Sequence, residues 1–159
     1  MTALEFHTGL PDPVDYACRM LRKAQRQGWR VLVIAPEATV AELDTLLWTF
    51  DNASFVPHVR LPSAQAALTP IWLCTAVPEG EGEGHGNVPP LLINLGAPIP
   101  EQPARFERLI ELVGLDVDEA EAGRERWRAY KAQGFAVIHR KPGQNAHPES
   151  SADTDATGG

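Results

Sequence analysis

Short apolar runs alternate with helical patterns along this chain, and this alternation constrains the fold more than any other feature of the sequence. The clearest run is WRVLVIAP at residues 29–36, which is of strand length and nearly continuous in apolar side chains. Such a run is typical of a strand that is covered on both faces in a parallel sheet. Before it come a short strand candidate, ALEFH, and a segment at 14–27 with apolar residues at helical spacing, which Gly28 ends. The sequence therefore predicts a strand, a helix and a second strand.

The same alternation continues to residue 139. The spacing predicts a second helix at 37–49, a third at 103–113 that Gly114 closes, and a fourth at about 116–133 that Gly134 ends. Further strands are predicted at three runs: IWLCTAV, LLINLG and FAVIH. Strands that alternate with helices predict an α/β fold in three layers, with helices on both faces of a mainly parallel sheet.

The composition is that of one folded domain with a polar extension. The chain has 159 residues, of which 43% are hydrophobic and 22% charged, as expected of a soluble protein. We expect a single domain at 1–140. Residues 141–159, KPGQNAHPESSADTDATGG, hold almost no large apolar side chain and are predicted to be disordered. No membrane-spanning run or secretory signal is apparent, so the expected location is the cytoplasm.

The sequence contains no pattern that predicts catalysis. The turn after the first strand reads FHTGLPDPVDY, whose single glycine, Gly9, cannot supply the close backbone approach of a dinucleotide-binding loop. The five histidines show no metal-ligand spacing, and Cys18 and Cys74 lie far apart and are expected to be ordinary buried thiols. We therefore expect no cofactor, no metal and no catalytic residue. The enzyme alternative is a nucleotide-binding protein with a degenerate first loop.

Positive charge is concentrated in the fourth predicted helix of an otherwise acidic chain. The net charge is −7, yet the segment RERWRAYKAQGF begins with eight residues of which four are basic. At about 100° per residue, Arg124, Arg128 and Lys131 form a stripe roughly 70° from Trp127. A strip of cations beside an indole can bind an acidic peptide together with an apolar group at its end.

Two other interpretations of this helix remain open. Acidic residues at its start and basic residues at its end are what the helix dipole favours, and Trp127 could be only a core residue. Alternatively, the cations and rings could bind single-stranded DNA directly. Four cations are few for that purpose in a chain of net charge −7.

A second candidate surface lies in LLWTFDNASFVPH, residues 46–58. Trp48 falls more than about 90° from the apolar stripe of the second helix, so its side chain is not expected to face the core. Phe55, Val56 and Pro57 follow shortly after. An exposed Trp beside an exposed Phe is a candidate anchor pair for a protein partner. The alternative is that Trp48 folds back beneath the loop as a small satellite of the core.

At these two motifs the chain resembles the chi subunits of bacterial DNA polymerase III holoenzyme. The resemblance covers about residues 3–140, through EFHTG, GWRVLVIA, LDTLLWTFDNASFVPH, LLINLG and RERWRAYKAQGF. It implies a Rossmann-like fold and a non-catalytic accessory protein of the clamp-loader assembly.

The resemblance also implies partners and site residues. One partner is the acidic C-terminal tail of single-stranded-DNA-binding protein, held by Arg124, Trp127, Arg128 and Lys131, so that DNA is contacted mainly indirectly. The other is the psi subunit, which links to the clamp loader and is contacted by the second surface: Trp48, Phe55, Val56 and Pro57. Ala120 departs from the family, since relatives carry another basic residue one turn before Arg124.

Overall fold

A seven-stranded parallel sheet runs through the chain, whose residues 2–49, 56–78 and 88–142 are described here from a computed structural model. The strands are β1 (Ala3–Leu10), β2 (Val31–Ile34), β3 (His58–Arg60), β4 (Ile71–Cys74), β5 (Leu91–Asn94), β6 (Arg108–Gly114) and β7 (Val137–Arg140). They lie in the order β3-β4-β2-β5-β6-β1-β7, and every neighbouring pair is parallel. The prediction of a mainly parallel sheet is confirmed.

In the described ranges, three α-helices cover the two faces of this sheet: α1 (Pro13–Gln27), α2 (Glu37–Thr49) and α3 (Val117–Ala132). The helices α1 and α2 pack on one face, in a core that includes Val31 and Val33 of β2. The helix α3 packs on the other face, in a core that includes Leu32 and Ile34 of the same strand. The predicted three-layer, Rossmann-like α/β fold is therefore confirmed. Within the described ranges, no helix has both the length and the apolar character needed to cross a membrane.

The ends of α1 follow directly from its local sequence. The Asp12 carboxylate accepts a hydrogen bond from the backbone N–H of Asp15 at 3.1 Å, and Pro13 occupies the first turn, where its missing N–H leaves no bond unmade. Gly28 ends the helix in the left-handed conformation, at φ 76°. The buried residues between these ends are those at helical spacing: Ala17, Cys18, Leu21 and Ala24.

The predicted helix at 103–113 is wrong. Pro103–Arg105 forms a single 3-10 turn, and Arg108–Gly114 is β6, a central strand between β5 and β1. A short apolar run fits helical and strand spacing equally well. The polar residue inside this run, Glu111, interrupts the continuous apolar pattern expected of a central strand. It is nevertheless fully buried, because a hydrogen-bonded network surrounds it.

The structure describes the C-terminal part of the chain as far as residue 142. The last predicted strand is confirmed as β7, which pairs with β1 from Leu4–Val137 to His7–Arg140. Disorder was predicted for residues 141–159, of which residues 143–159 lie outside the described residues.

The strand β3, at one edge of the sheet, was not predicted. Its three residues are too few for an alternating pattern to be recognised.

Both cysteines are free and buried. Burial raises the pKa of the Cys18 thiol to about 12 and that of Cys74 to about 11. A thiol with so high a pKa is not a nucleophile at neutral pH. The expectation of ordinary buried thiols agrees with these environments.

Candidate functional site

The side chain of Asp116 caps the N-terminus of α3. Asp116 accepts hydrogen bonds from the backbone N–H groups of Asp118 and Glu119, at 3.0 and 3.3 Å. These acids lie in the first turn and Lys131 lies in the last, so the charge gradient along α3 matches the helix dipole. The dipole accounts for the order of charges along the helix. It does not account for which face of the helix each cation occupies.

A glycine lets α3 lie close against the sheet. A Cβ placed at Gly123 would approach Cγ1 of Val113 in β6 to 2.8 Å, so any larger residue would push the helix outward. Two turns later Tyr130 is fully buried beneath the helix. Close contact at Gly123 and burial of Tyr130 fix which side of α3 faces the core.

The Arg126 side chain points toward the interior, where it binds Glu111. Its Nε donates to Oε1 of Glu111 at 2.7 Å, while the Tyr130 hydroxyl and the Asn94 amide donate to Oε2 at 2.6 and 2.9 Å. Complete burial raises the pKa of the Glu111 carboxyl, and the three donors act in the opposite direction. This network links α3 to β5 and β6. One of the four cations of the basic segment is thus structural.

The other three cations of the segment face solvent. Arg124, Arg128 and Lys131 are exposed, and none of them lies within ion-pair distance of a carboxylate in the described part of the chain. Exposed cations without an acidic partner can make charge-assisted hydrogen bonds with an incoming anion. The side of α3 that faces solvent therefore carries three positive charges that the described fold does not neutralise.

Trp127 lies between the core and the surface. The indole is half-buried, with its ring centroid 5.5 Å from that of Phe6 and 5.2 Å from that of His139. The plane of the indole makes an angle of 45° with the ring plane of Phe6 and of 79° with that of His139. The core interpretation is therefore correct for part of the ring. The remainder of the ring borders a groove.

This groove has a volume of about 640 Å³ and lies between α3 and the ends of β1, β6 and β7. Its apolar lining includes Phe6, Val113 and Leu115, and the small residues Ala120 and Gly123 leave room beside them. The predicted residues Arg124, Trp127 and Arg128 also line it. Lys131 does not, since it lies further along α3 toward its C-terminal end. A groove with an apolar interior and cations at α3 suits a chain that carries both acidic and apolar groups.

The sequence predictions missed the groove residues that come from the sheet: Phe6, Thr8, Gly9, His139 and Lys141. They lie in or next to β1 and β7, which are adjacent in space but about 130 residues apart in the chain. No local pattern signals this proximity. Only the parallel pairing of the two strands brings these residues to α3.

The second predicted surface is partly exposed. Trp48 is 58% exposed and its ring centroid lies 5.1 Å from that of His58, so the indole covers His58 without being enclosed. Pro57 is half-buried, whereas Val56 is buried in the core on the side of α1 and α2. Phe55 lies outside the described residues. The structure therefore leaves Trp48 accessible and places the Val56 side chain beneath the surface.

The chemistry of the first loop disfavours phosphate. Asp12 places a carboxylate at the N-terminus of α1, where a nucleotide-binding loop would present backbone N–H groups to phosphate oxygens. In the described ranges, no three residues among His, Cys, Asp and Glu are grouped so that they could hold a metal ion.

The chain is similar to proteins of a known family. The sequence model of the family described as DNA polymerase III chi subunit, HolC, matches residues 1–138. The DNA polymerase III subunit chi of Pseudomonas aeruginosa is 38% identical over 149 residues, which cover 89% of this chain and 99% of that protein. The subunit chi of Haemophilus influenzae is 32% identical over 125 residues, or 76% and 81% of the two chains. That of Escherichia coli is 26% identical over 128 residues, or 80% and 84%.

The match to the family model spans most of the described fold, including both β1 and α3. The family is one of accessory rather than catalytic subunits, and its role is in DNA replication. The chain therefore belongs to the DNA polymerase III chi subunit family.

Proposed function

We propose that this replication accessory subunit binds the acidic C-terminal tail of single-stranded-DNA-binding protein in the groove beside α3. The observation that carries the proposal is the combination of an apolar groove walled by Trp127 and three exposed cations that have no acidic partner among the described residues. The subunit would thereby link the clamp-loader complex to coated single-stranded DNA, and its own contact with DNA would be mainly indirect.

The chemistry of the groove complements such a tail. Arg124 and Arg128 can donate charge-assisted hydrogen bonds to acidic side chains and to a terminal carboxylate. The indole of Trp127 and the apolar residues beside it can hold a terminal aromatic ring, for which offset or edge-on ring contacts are favoured. Lys131 extends the positive surface beyond the groove. Ala120 adds space rather than charge.

An arginine substitution tests this proposal. Arg128→Ala is expected to weaken binding of an acidic, Phe-ended peptide by about 1 kcal/mol or more, because a charge-assisted contact is lost. The side chain is exposed, so the thermal melting temperature should change little. Isothermal titration calorimetry measures the affinity of wild type and variant.

Arg26→Ala is the matched control, because Arg26 is an exposed arginine of α1, on the opposite face of the sheet. It removes the same charge from a different surface. Equal losses in the two variants would indicate a non-specific charge effect, and no loss in Arg128→Ala would remove this residue from the site.

We further propose that Trp48, Phe55 and Pro57 form the surface that pairs with a psi subunit, with Val56 supporting it from the core. The support is an accessible indole at the end of α2, whose ring lies beside that of His58, the residue after Pro57. The buried side chain of Val56 anchors the segment that carries Pro57 to the core.

A tryptophan substitution tests this second surface. Trp48→Ala is expected to abolish co-purification with a psi subunit, because an exposed aromatic anchor is lost, while peptide binding stays unchanged. Trp29→Ala is the control, since Trp29 is 40% exposed at a different place, just after α1. Retained pairing in Trp48→Ala refutes the assignment, and loss of folding would show instead that the indole acts as a satellite of the core.

A further inference from the structure

We propose that His139 is a binding residue of the α3 groove, which orients the indole of Trp127 and, when protonated, adds a positive charge for the anionic chain end. This inference rests on the proposed function of the groove. It goes beyond it, because it predicts that binding of the acidic tail depends on pH near neutrality.

The position of His139 follows from strand pairing. In β7 it lies opposite Phe6 of β1, and both side chains are on the face of the sheet that α3 covers. The alternating neighbours Ile138 and Arg140 belong to the other face, where Arg140 approaches Glu5. His139 thus lines the groove together with the arginines of α3.

Contacts with Thr8 and Trp127 help to hold the imidazole in place. Its Nε2 lies 2.6 Å from the hydroxyl oxygen of Thr8, a hydrogen bond that joins β7 to β1. Its ring meets the indole of Trp127 edge-on, at 5.2 Å and 79°. Phe6 contacts the same indole at 5.5 Å. Trp127 therefore packs against two rings of the sheet, and the bond to Thr8 limits how far the imidazole can turn away from it.

The surroundings of His139 determine the sign of the pH effect. The charged residues that line the groove with it are Arg124 and Arg128 of α3 and Lys141 after β7, while β1 contributes the neutral Thr8. Among the described residues, no carboxylate lines the groove. The carboxylates of a bound peptide favour the protonated form of the imidazole. Binding should therefore take up a proton, and affinity should rise as the pH falls.

Calorimetry of an acidic, Phe-ended peptide tests the inference. An imidazole ordinarily titrates near pH 6.5, whereas peptide carboxylates titrate near 4 and stay ionised above about pH 6. We expect wild-type affinity to rise by about threefold or more between about pH 8 and about pH 6, since one additional partly exposed charge contributes an effect of this order. Titrations in buffers of different ionisation enthalpy should show proton uptake on binding.

Substitutions separate the two roles of the residue. His139→Phe keeps a ring against Trp127 but loses the charge and the bond to Thr8, so its affinity should not depend on pH in this range. His139→Gln should behave in the same way and serves if the Phe variant does not fold. Thr8→Val leaves the imidazole but removes its anchor, so affinity should fall at both pH values while the pH dependence remains.

Each outcome decides between the two proposals. Binding to wild type that is independent of pH, or a pH dependence that persists in both His139 variants, overturns the role of His139 and leaves the groove as a peptide site. Absence of wild-type binding at every pH contradicts the proposed function itself. A thermal melt of each variant shows whether the fold is intact.

Discussion

A single carboxylate, that of Glu5, ties together the three strands at one edge of the sheet. Its Oε1 lies 2.9 Å from Nε2 of His7, and guanidinium nitrogens of Arg108 and Arg140 lie 3.3 and 3.5 Å from its oxygens. Arg108 belongs to β6 and Arg140 to β7, on either side of β1. The hydrogen bond from His7, supported by both guanidinium groups, lowers the pKa of Glu5 to about 2. Glu5 thereby helps to hold β7, which carries His139.

The stability that Glu5 provides should depend on pH. Because its pKa is lowered on folding, from 4.5 to about 2, the contribution is fully present above about pH 4.5 and is lost as the pH falls toward 2. A shift of this size corresponds to no more than about 3 kcal/mol. We therefore expect Glu5→Gln to lower the free energy of unfolding most at neutral pH, and the gap to wild type to narrow toward about pH 3.

Urea unfolding of both proteins at the two pH values measures this gap. Glu107→Gln, at an exposed position next to β6, is the matched control and should show little effect. A gap that stays constant with pH would show that Glu5 contributes by packing rather than by its charge.

Among the elements, α3 shows what local sequence can predict. The helix itself and the exposed stripe of Arg124, Arg128 and Lys131 follow from helical spacing. The inward position of Arg126 does not. Its partner Glu111 lies in β6, which the spacing of its apolar residues favoured as a helix, so the buried ion pair could not be anticipated.

The groove shows why the rest of a site escapes prediction. Part of it comes from α3, whose pattern is continuous in sequence, and the rest from residues in or next to β1, β6 and β7, which only the sheet brings together. Gly123 illustrates the difference. It falls on the same helical stripe as Trp127, yet the need for a glycine appears only from its distance to Val113 in β6.

For the whole molecule, the order of strands separates the two proposed surfaces. The strand β3 follows the segment of Pro57 at one edge of the sheet, and β7 carries His139 at the other. Six strand spacings of about 4.8 Å put these edges on the order of 30 Å apart. Two partners could therefore be bound at once without contact between them, which is the arrangement an adaptor needs.

The distribution of charge is consistent with this arrangement. The chain carries a net charge of −7, which repels a second acidic protein in general, so an acidic tail requires a local positive surface. The exposed cations of α3 provide one.

The most direct measurement is an NMR titration of the isotopically labelled protein with the C-terminal peptide of the single-stranded-DNA-binding protein from the same organism. If the groove receives the tail, the amide shifts that change on binding will cluster along α3 around Arg124 and Arg128, at Thr8 and Gly9, and at His139. Shift changes confined to α1 and α2, or no saturable change at all, would contradict the claim that this groove receives the acidic tail.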